Sequence, residues 1–392
     1  MIKRTIYQKI ADRLDEPRML IQVLYGPRQV GKTTLVTQYL ETTNTPHLFA
    51  TADDIIGNDQ VWLRETWATA RARQKKTGGE YLLVVDEVQK VRNWSEIVKK
   101  EWDSDTREKC PLKVVLLGSS SLLLLKGLSE SLTGRFEALF IPHWSFAEMR
   151  DAFGFDVDDY IYFGGYPGAA PLYKDPDRWR QMIRMSIIEN TISKDVLELN
   201  RVDKPALMRR LFDIGCAYSS QIVALNKIQG ELQEKGNLTT LSGYLDLLSS
   251  AGLLCGLEKY CGNTLHARAS KPKFQVYNNA LMSTVQLLTK EDLLTQPTVW
   301  GRWVESAVGT TLLNFAKATG YKLYYWNMDS REVDYILQYG NHVVAFEVKS
   351  GKNSSNEGMA IFDKLYHPDA MYVVGTDGIP LEEFFQMNLS KL

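Results

Sequence analysis

Little in this 392-residue chain points to disulfides or to a metal held by soft ligands. Its four cysteines, Cys110, Cys216, Cys255 and Cys261, include no C-x-x-C pair, and its five histidines show no ligand spacing. That excludes a disulfide framework and a zinc-ribbon type of site, and a reducing, cytoplasmic setting is expected. An excess of one charge is missing too. Lys and Arg number 46 against 47 Asp and Glu, so no global field recruits nucleic acid or a membrane surface, and any such partner has to be met by a local patch. Long apolar runs are also lacking. Tyr81 to Val85 and Leu122 to Leu125 fall far short of the about 20 residues that cross a bilayer, and no secretory signal pattern is visible. What is there is a composition 44% apolar, ordinary for globular protein and long enough for two or three domains.

Tyr25 to Leu35 reads Y-G-P-R-Q-V-G-K-T-T-L, with the spacing G-x-x-x-x-G-K-[ST]. The apolar run Met19 to Leu24 precedes it and Thr34 to Leu40 opens a helix behind it, which is the strand, loop, helix order a P-loop needs. Gly26 and Gly31 leave the backbone of Pro27, Arg28, Gln29 and Val30 free to close round phosphate oxygens, with the positive end of the following helix aimed at the same anion. Lys32 is expected to neutralise the outer phosphates, Thr33 to ligate Mg²⁺ through its hydroxyl, and Thr34 to complete the cradle.

The continuous apolar run Tyr81 to Val85 suits a strand buried on both faces of a parallel sheet, and it ends in Asp86-Glu87. There Asp86 is expected to hold Mg²⁺ through water, and Glu87 to polarise an attacking water. A third such strand, Lys113 to Leu117, runs into Gly118-Ser119-Ser120-Ser121, where Ser119 or Ser120 is the candidate sensor of a γ-phosphate. Arg135, in Leu132-Thr133-Gly134-Arg135, is the candidate arginine finger, acting in cis or on a neighbouring copy. The implied cofactors are ATP and Mg²⁺.

Together G-P-R-Q-V-G-K-T-T, V-V-D-E-V-Q-K, L-L-G-S-S-S, L-T-G-R-F and P-H-W-S-F-A-E resemble the AAA-type ATP-binding proteins of bacteria and archaea that carry a C-terminal domain of unknown function. The likeness continues through Gly164-Gly165-Tyr166-Pro167 and beyond Lys271-Pro272-Lys273. It implies a P-loop ATPase core, placed here over residues 1–150, and gives added importance to Arg135 and the serine cluster.

Gly164, Gly165, Pro167 and Gly168, followed by Asp175-Pro176-Asp177, predict a linker over 151–177. Over 178–290 apolar residues recur at helical spacing: Met182, Met185, Ile188 and Ile192, then Leu207, Leu211 and Ile214. A third helix, capped by Ser219-Ser220, carries Ile222, Leu225 and Ile228, and a fourth carries Leu241, Tyr244, Leu245 and Leu248. With a hairpin from Leu253 to Tyr260 and Phe274 to Tyr277, the order suggests a winged-helix-like module. Asn237 to Ser250 contains no Lys or Arg, which argues against groove reading by that helix, while Lys259, Arg268, Lys271 and Lys273 give the wing a basic edge.

In residues 291–392, Gly340-Asn341 is a two-residue hairpin signal between the alternating segments Arg331 to Leu337 and Val343 to Lys349. Counting from that turn sets Asp334 opposite Glu347 and Glu332 opposite Lys349, all on one face. Opposed carboxylates cost up to about 1 kcal/mol, which a divalent cation would offset. D…E-x-K is the spacing by which restriction-endonuclease-like folds hold Mg²⁺ and set a Lys, here Lys349, against the reacting phosphate. Glu305, in a helix expected over Arg302 to Phe315, resembles the helix-borne acid of those folds, so Glu305, Asp334 and Glu347 are the candidate metal ligands. A helix near Met359 to Leu365 and a strand at Ala370 to Val374 complete an αβββαβ order.

The expected fold class is α/β: a P-loop NTPase core of AAA type, a helical winged-helix-like module and a restriction-endonuclease-like α/β domain. Two functions follow. One is an ATP-hydrolysing protein that couples nucleotide state to a nuclease-like domain acting on DNA. The other is a nucleotide-dependent switch whose nuclease-like domain cleaves nothing and docks a partner. DNA, another protein and a second copy of the chain are the expected partners, and a membrane is not.

Overall fold

A computed structural model describes residues 3–119, 124, 127–128, 130–197, 202–231, 237–262, 270–351 and 357–392. Ser120, Ser121, Leu122, Leu125 and Arg268, all named above, lie outside the described residues. The chain divides into two compact units, Met1–Ile141 and Pro142–Leu392.

The first unit is built on strands β1 (Ile21–Tyr25), β2 (His47–Thr51), β3 (Tyr81–Asp86), β4 (Leu112–Gly118) and β5 (Phe136–Phe140). They form one parallel sheet in the order β2-β3-β4-β1-β5. Strand side chains alternate, so a sheet covered on both faces needs apolar residues at every position. β3 and β4 meet that demand. Leu83, Val85, Val114 and Leu116 enter a core with Trp67 and Trp102 from helices Asp59–Thr77 and Trp94–Arg107. Leu82, Val84, Val115 and Leu117 enter another with Ile10 and Leu14 from Tyr7–Asp15 and Leu35 and Val36 from Lys32–Leu40. The order puts β4 between β1 and β3, so the loops leaving these three strands gather at one end of the sheet.

In the second unit β6 (Leu254–Lys259), β7 (Lys273–Val276), β8 (Lys322–Met328), β9 (Arg331–Tyr339), β10 (His342–Lys349) and β11 (Ala370–Gly375) make a sheet ordered β11-β10-β9-β8-β6-β7. Helix Pro297–Thr319 packs in the large core on one face. Helix Glu357–Tyr366 supplies Met359 and Phe362 to the smaller core on the other. The predicted αβββαβ element order is present. The three helices Pro205–Ala217, Leu225–Glu231 and Leu238–Ser250 do precede an antiparallel β6–β7 pair. That pair is no free wing, however, because Glu258 and Lys259 of β6 pair in parallel with Tyr324 and Tyr325 of β8. Residues 178–290 and 291–392 therefore share one sheet and one core within a single unit.

Other local expectations shift for physical reasons. In the glycine-rich run predicted as a linker, Gly164 and Gly165 are buried while Gly168 is exposed: Gly165 donates to Asn278 Oδ1 at 3.2 Å, and a Cβ there would stand 2.2 Å from the Trp144 carbonyl oxygen. Glycine serves close approach at that point, not freedom. Ile183–Glu189 and Thr191–Leu197 wind as π-helix, whose i→i+5 bonding lengthens the repeat. The buried stripe becomes Ile183, Ile187, Ile188, Ile192 and Val196, and Met185 turns outward. Ser219 caps no helix. Its hydroxyl accepts from the Val276 N–H at 3.2 Å and pairs with Ser306 Oγ at 2.8 Å, tying β7 to the long helix.

If Gly165 is a packing residue, Gly165→Ala should lower stability by about 2–3 kcal/mol. Gly79→Ala, where an added Cβ meets nothing within 4 Å, should change it by less than about 0.5 kcal/mol. Denaturant melts of the two variants beside the parent read both.

Candidate functional site

At the carboxyl end of β1 the chain turns through Gly26 to Gly31 into helix Lys32–Leu40. Gly26 has φ 154°, and a Cβ on it would lie 2.3 Å from the Ile141 carbonyl oxygen. Gln29 and Gly31 take the left-handed region, at φ 58° and 87°. Val30 is fully buried in the core beneath the loop, which pins the loop while Pro27, Arg28 and Gln29 arch over it. Gly31 is the helix N-cap and has no side chain to satisfy the first N–H groups, so the helix start is ready for an anion. Lys32 is buried, and its ammonium donates to the carbonyl oxygens of Gly26 and Pro27 at 2.9 and 2.7 Å. Thr34 follows on the exposed side of the first turn.

The end of β3 meets this loop across β4. Thr33 Oγ1 donates to Asp86 Oδ2 at 2.8 Å, and the Glu87 amide donates to Asp86 Oδ1 at 2.9 Å. Glu87 has φ 52°, an uncommon conformation for a residue with a side chain, of the kind that collects at functional sites. Its Oε2 accepts from Ser119 Oγ at 3.0 Å and from Gln89 Nε2. Among the described residues no hydrogen bond ends on Oε1. Burial raises the Asp86 carboxyl above its ordinary value; the Thr33 hydrogen bond opposes this and Glu87 adds to it. Lys32, Thr33, Asp86, Glu87 and Ser119 thus converge as predicted residues. The hydroxyl of Thr33 and the carboxylate of Asp86 are hard oxygen donors of the type Mg²⁺ takes, and the glycine-lined loop fits a polyphosphate.

Two members of this site were not foreseen. Arg4, buried, donates from Nη1 to the Val30 carbonyl at 3.0 Å, bracing the loop from the N-terminal segment. Gln89 fixes Glu87 from within the same turn. The V-Q after D-E was the only trace of it in the sequence.

Arg135 does not join the group. It precedes β5, and its carbonyl accepts from the Ile21 N–H at 2.8 Å, so it lies at the amino ends of the strands. β1 is five residues long, which sets that end about 13 Å from the loop. The Arg135 guanidinium makes a bidentate pair with Asp103, at 2.8 and 3.0 Å. A finger acting in cis is therefore corrected by geometry: the sheet itself stands between Arg135 and the loop of its own chain.

In the second unit the β9–β10 ladder has the predicted register from His342↔Tyr339 to Phe346↔Tyr335. Along β8, though, Tyr324 pairs with Ile336 and Trp326 with Val333, so β9 holds one extra residue at Asp334–Tyr335. This bulge breaks the strict alternation that the sequence count relied on. Val333 and Ile336 face the smaller core while Tyr335 turns into the larger one. Asp334 Oδ2 accepts the Val348 N–H at 2.7 Å.

The predicted acids do come together, but a lysine is already among them. Lys273 of β7 has no exposed surface. Its Nζ lies 2.7 Å from Glu305 Oε1, 3.0 Å from Glu332 Oε1 and 3.4 Å from Asp334 Oδ1, and 4.7 Å from the Tyr335 ring centroid. Lys349 reaches Glu347 instead, at 3.1 Å, which leaves Glu347 apart from the Lys273 contacts. Burial alone would pull Lys273 down; Glu305, Asp334 and Glu332 hold its ammonium well above the ordinary lysine value. Burial, with Asp334 adding, pushes Glu305 up to about 8 against the pull of Lys273. Burial, again with Asp334, pushes Glu347 up to about 7 against Lys349. The basic edge expected on the wing loses Lys273 to the interior, which leaves, among the described residues, exposed Lys271 and half-buried Lys259 there.

Because the fold raises the Asp86 carboxyl, it favours the protonated form. That stability is complete below the unfolded value, about 3.9, and is lost as pH rises through the folded one. At neutral pH an ionised Asp86 weakens the nucleotide-free protein. Asp86→Asn should then melt higher than the parent at pH 7, with the gap closing toward pH 4; equal melting temperatures across that range would contradict it.

Residues 18–150 match a family described as an AAA domain. Residues 154–292 and 300–389 match two families each described as a domain of unknown function, DUF8612 and DUF4143. An uncharacterized protein of Haemophilus influenzae is 23% identical over 366 residues, covering 88% of this chain and 86% of its own. One of Mycobacterium tuberculosis is 26% identical over 338 residues, covering 85% and 70%. Among solved structures, the Thermotoga maritima RuvB Holliday junction branch migration motor gives a TM-score of 0.35 at 17% identity, over 65% of this chain and 90% of that one. AMPPCP-bound DnaA from Aquifex aeolicus gives 0.34 at 14%, over 62% and 87%. The family match over residues 18–150 and the arrangement of Lys32, Thr33, Asp86 and Glu87 support a P-loop domain of AAA type in that segment.

Proposed function

We propose that the chain binds ATP with Mg²⁺ at the loop Gly26 to Thr34 and hydrolyses it, and that nucleotide state controls what the second unit docks. The observation that carries this is the hydrogen-bonded line from Thr33 through Asp86 to Glu87 and Ser119 at the ends of β1, β3 and β4. Mg²⁺, when bound, neutralises charge on the phosphates; Thr33 would hold it directly and Asp86 through water. Lys32 exchanges its carbonyl partners for phosphate oxygens. Glu87 orients a water through Oε1, while Ser119 and Gln89 keep Oε2 fixed. Arg135 serves a neighbouring copy, since its own loop is at the opposite end of the sheet.

For the second unit, a restriction-endonuclease-like fold accounts for the order of helix Pro297–Thr319, β8, β9, β10, helix Glu357–Tyr366 and β11. A specific observation favours docking over cleavage: Lys273 sits where the acids would share a metal. In the winged-helix-like arrangement of residues 178–290, fused to that sheet, helix Leu238–Ser250 carries no Lys or Arg for DNA phosphates, so a protein partner is the better fit.

Lys32→Ala should abolish ATP binding by calorimetry, whereas Glu87→Gln should retain binding and lose about 100-fold or more in turnover. Binding by Lys32→Ala equal to the parent's would sink the nucleotide reading; undiminished turnover in Glu87→Gln would sink the role of that carboxylate. For Arg135, a mixture of the inactive variants Arg135→Ala and Lys32→Ala should recover turnover, because each Arg135→Ala loop can then receive the arginine of a Lys32→Ala copy. No recovery in mixed assemblies would dismiss action in trans.

A further inference from the structure

Glu305, Glu332 and Asp334 each present a carboxylate oxygen, and these oxygens lie within 4.8 Å of one another. Three converging carboxylates repel, and in a partly buried place the repulsion is poorly screened. A cation at the centre is the general answer. Here the centre is held from within the chain, by the fully buried Lys273 ammonium at 2.7, 3.0 and 3.4 Å from the three oxygens. The Tyr335 ring closes one side of the ammonium, its centroid 4.7 Å away. Tyr335 is itself fixed by donating to Gln275 Oε1 at 2.9 Å and to the Glu305 carbonyl at 3.0 Å.

The lysine is built into place. It is the first residue of β7, paired with Leu257 of β6, and its ammonium also donates to the backbone carbonyl of Asp334 at 3.3 Å. Strand, helix and bulge all present groups to one nitrogen. An ammonium and a divalent ion cannot both contact the same three oxygens, because two cations a few ångströms apart in a low-dielectric place repel strongly. Mg²⁺ and Mn²⁺ need these oxygens at about 2.1 Å in octahedral array, which requires the space that Nζ fills.

We infer that Lys273 is the resident cation of this cluster: its ammonium stands in for a divalent metal, and it keeps metal out of the site in the intact chain. The second unit, as it stands, is closed to metal-dependent phosphodiester chemistry at Glu305, Glu332 and Asp334. This inference is independent of nucleotide binding by the first unit.

The test uses the full chain carrying Asp86→Asn, so that the nucleotide site contributes no Mn²⁺ signal. Mn²⁺ binding is read by electron paramagnetic resonance and by the shift in melting temperature. The otherwise unaltered chain should bind no Mn²⁺ at the cluster. Lys273→Ala, which removes the ammonium and opens its space, should melt lower, regain several degrees with millimolar Mn²⁺, and bind Mn²⁺ at least 10-fold more tightly than its parent. Adding Asp334→Asn to Lys273→Ala should erase that gain. Should Lys273→Ala fail to fold alone, refolding with Mn²⁺ should rescue it, and failure of that rescue counts against the inference. It is overturned by a folded Lys273→Ala that gains no Mn²⁺ affinity. It is equally overturned by Mn²⁺ binding, or Mn²⁺-dependent DNA cleavage, in the Lys273 protein that Asp334→Asn abolishes.

Discussion

A carboxylate taken out of water has to be met by a cation or by hydrogen-bond donors, and the two units of this chain meet that requirement in opposite ways. In the first, Asp86 and Glu87 accept hydrogen bonds from the Thr33 hydroxyl, a backbone amide, the Ser119 hydroxyl and the Gln89 amide. All are neutral donors. They orient the acids and leave the charge largely uncompensated, which is why burial still raises Asp86. In the second, Lys273 brings a full positive charge to Glu305, Glu332 and Asp334. The first arrangement asks for an external cation; the second supplies its own. That difference follows from donor chemistry alone and is the physical basis for reading one end of the chain as a ligand site and the other as a closed one.

The compensation in the second unit is still incomplete. One ammonium offsets one of three carboxylates, where a divalent ion would offset two. Burial first, and then the charge of Asp334, raises Glu305 and, farther along, Glu347; Glu347 Oε2 is also buried without a hydrogen-bond partner among the described residues. Removing one partner from a buried ionic group commonly costs about 3–5 kcal/mol, since the others stay behind uncompensated. Lys273 therefore has a structural role whatever else the cluster does.

How much of this was legible depended on whether the signal was local. The P-loop, the acids ending β3 and the serine after β4 are each fixed by a strand that must be apolar throughout and a loop that must be small or polar, so these positions of the first unit were readable from local pattern, whereas Arg4 and Gln89 were not. The β9–β10 turn was readable for the same reason: Gly340-Asn341 sets the register. What failed was long-range. Counting by twos cannot see a bulge, because the extra residue at Asp334–Tyr335 is declared only by the partner strand β8. Spacing cannot see that Gly165 lies against Trp144, so glycine read as linker. Nor does sequence say which end of a sheet Arg135 occupies until β5 is seen beside β1.

Lys273 is the sharpest case, and it bears on what a domain is here. Read along the chain it belongs to a wing, where a lysine next to Lys271 means a basic edge. Its position in the sheet gives it another meaning. β6 pairs with β8 on one side and β7 on the other, so the hairpin that ends the helical segment carries its first β7 side chain toward acids some thirty to sixty residues later in sequence. The segment after residue 290 has the strands and the helix of a complete α/β layer, yet its acidic cluster is balanced by a charge from the segment before it. A boundary drawn between the two would divide a salt-bridged group whose members are each costly alone. The hairpin is thus better understood as the part of the second unit that makes its carboxylates compatible with folding.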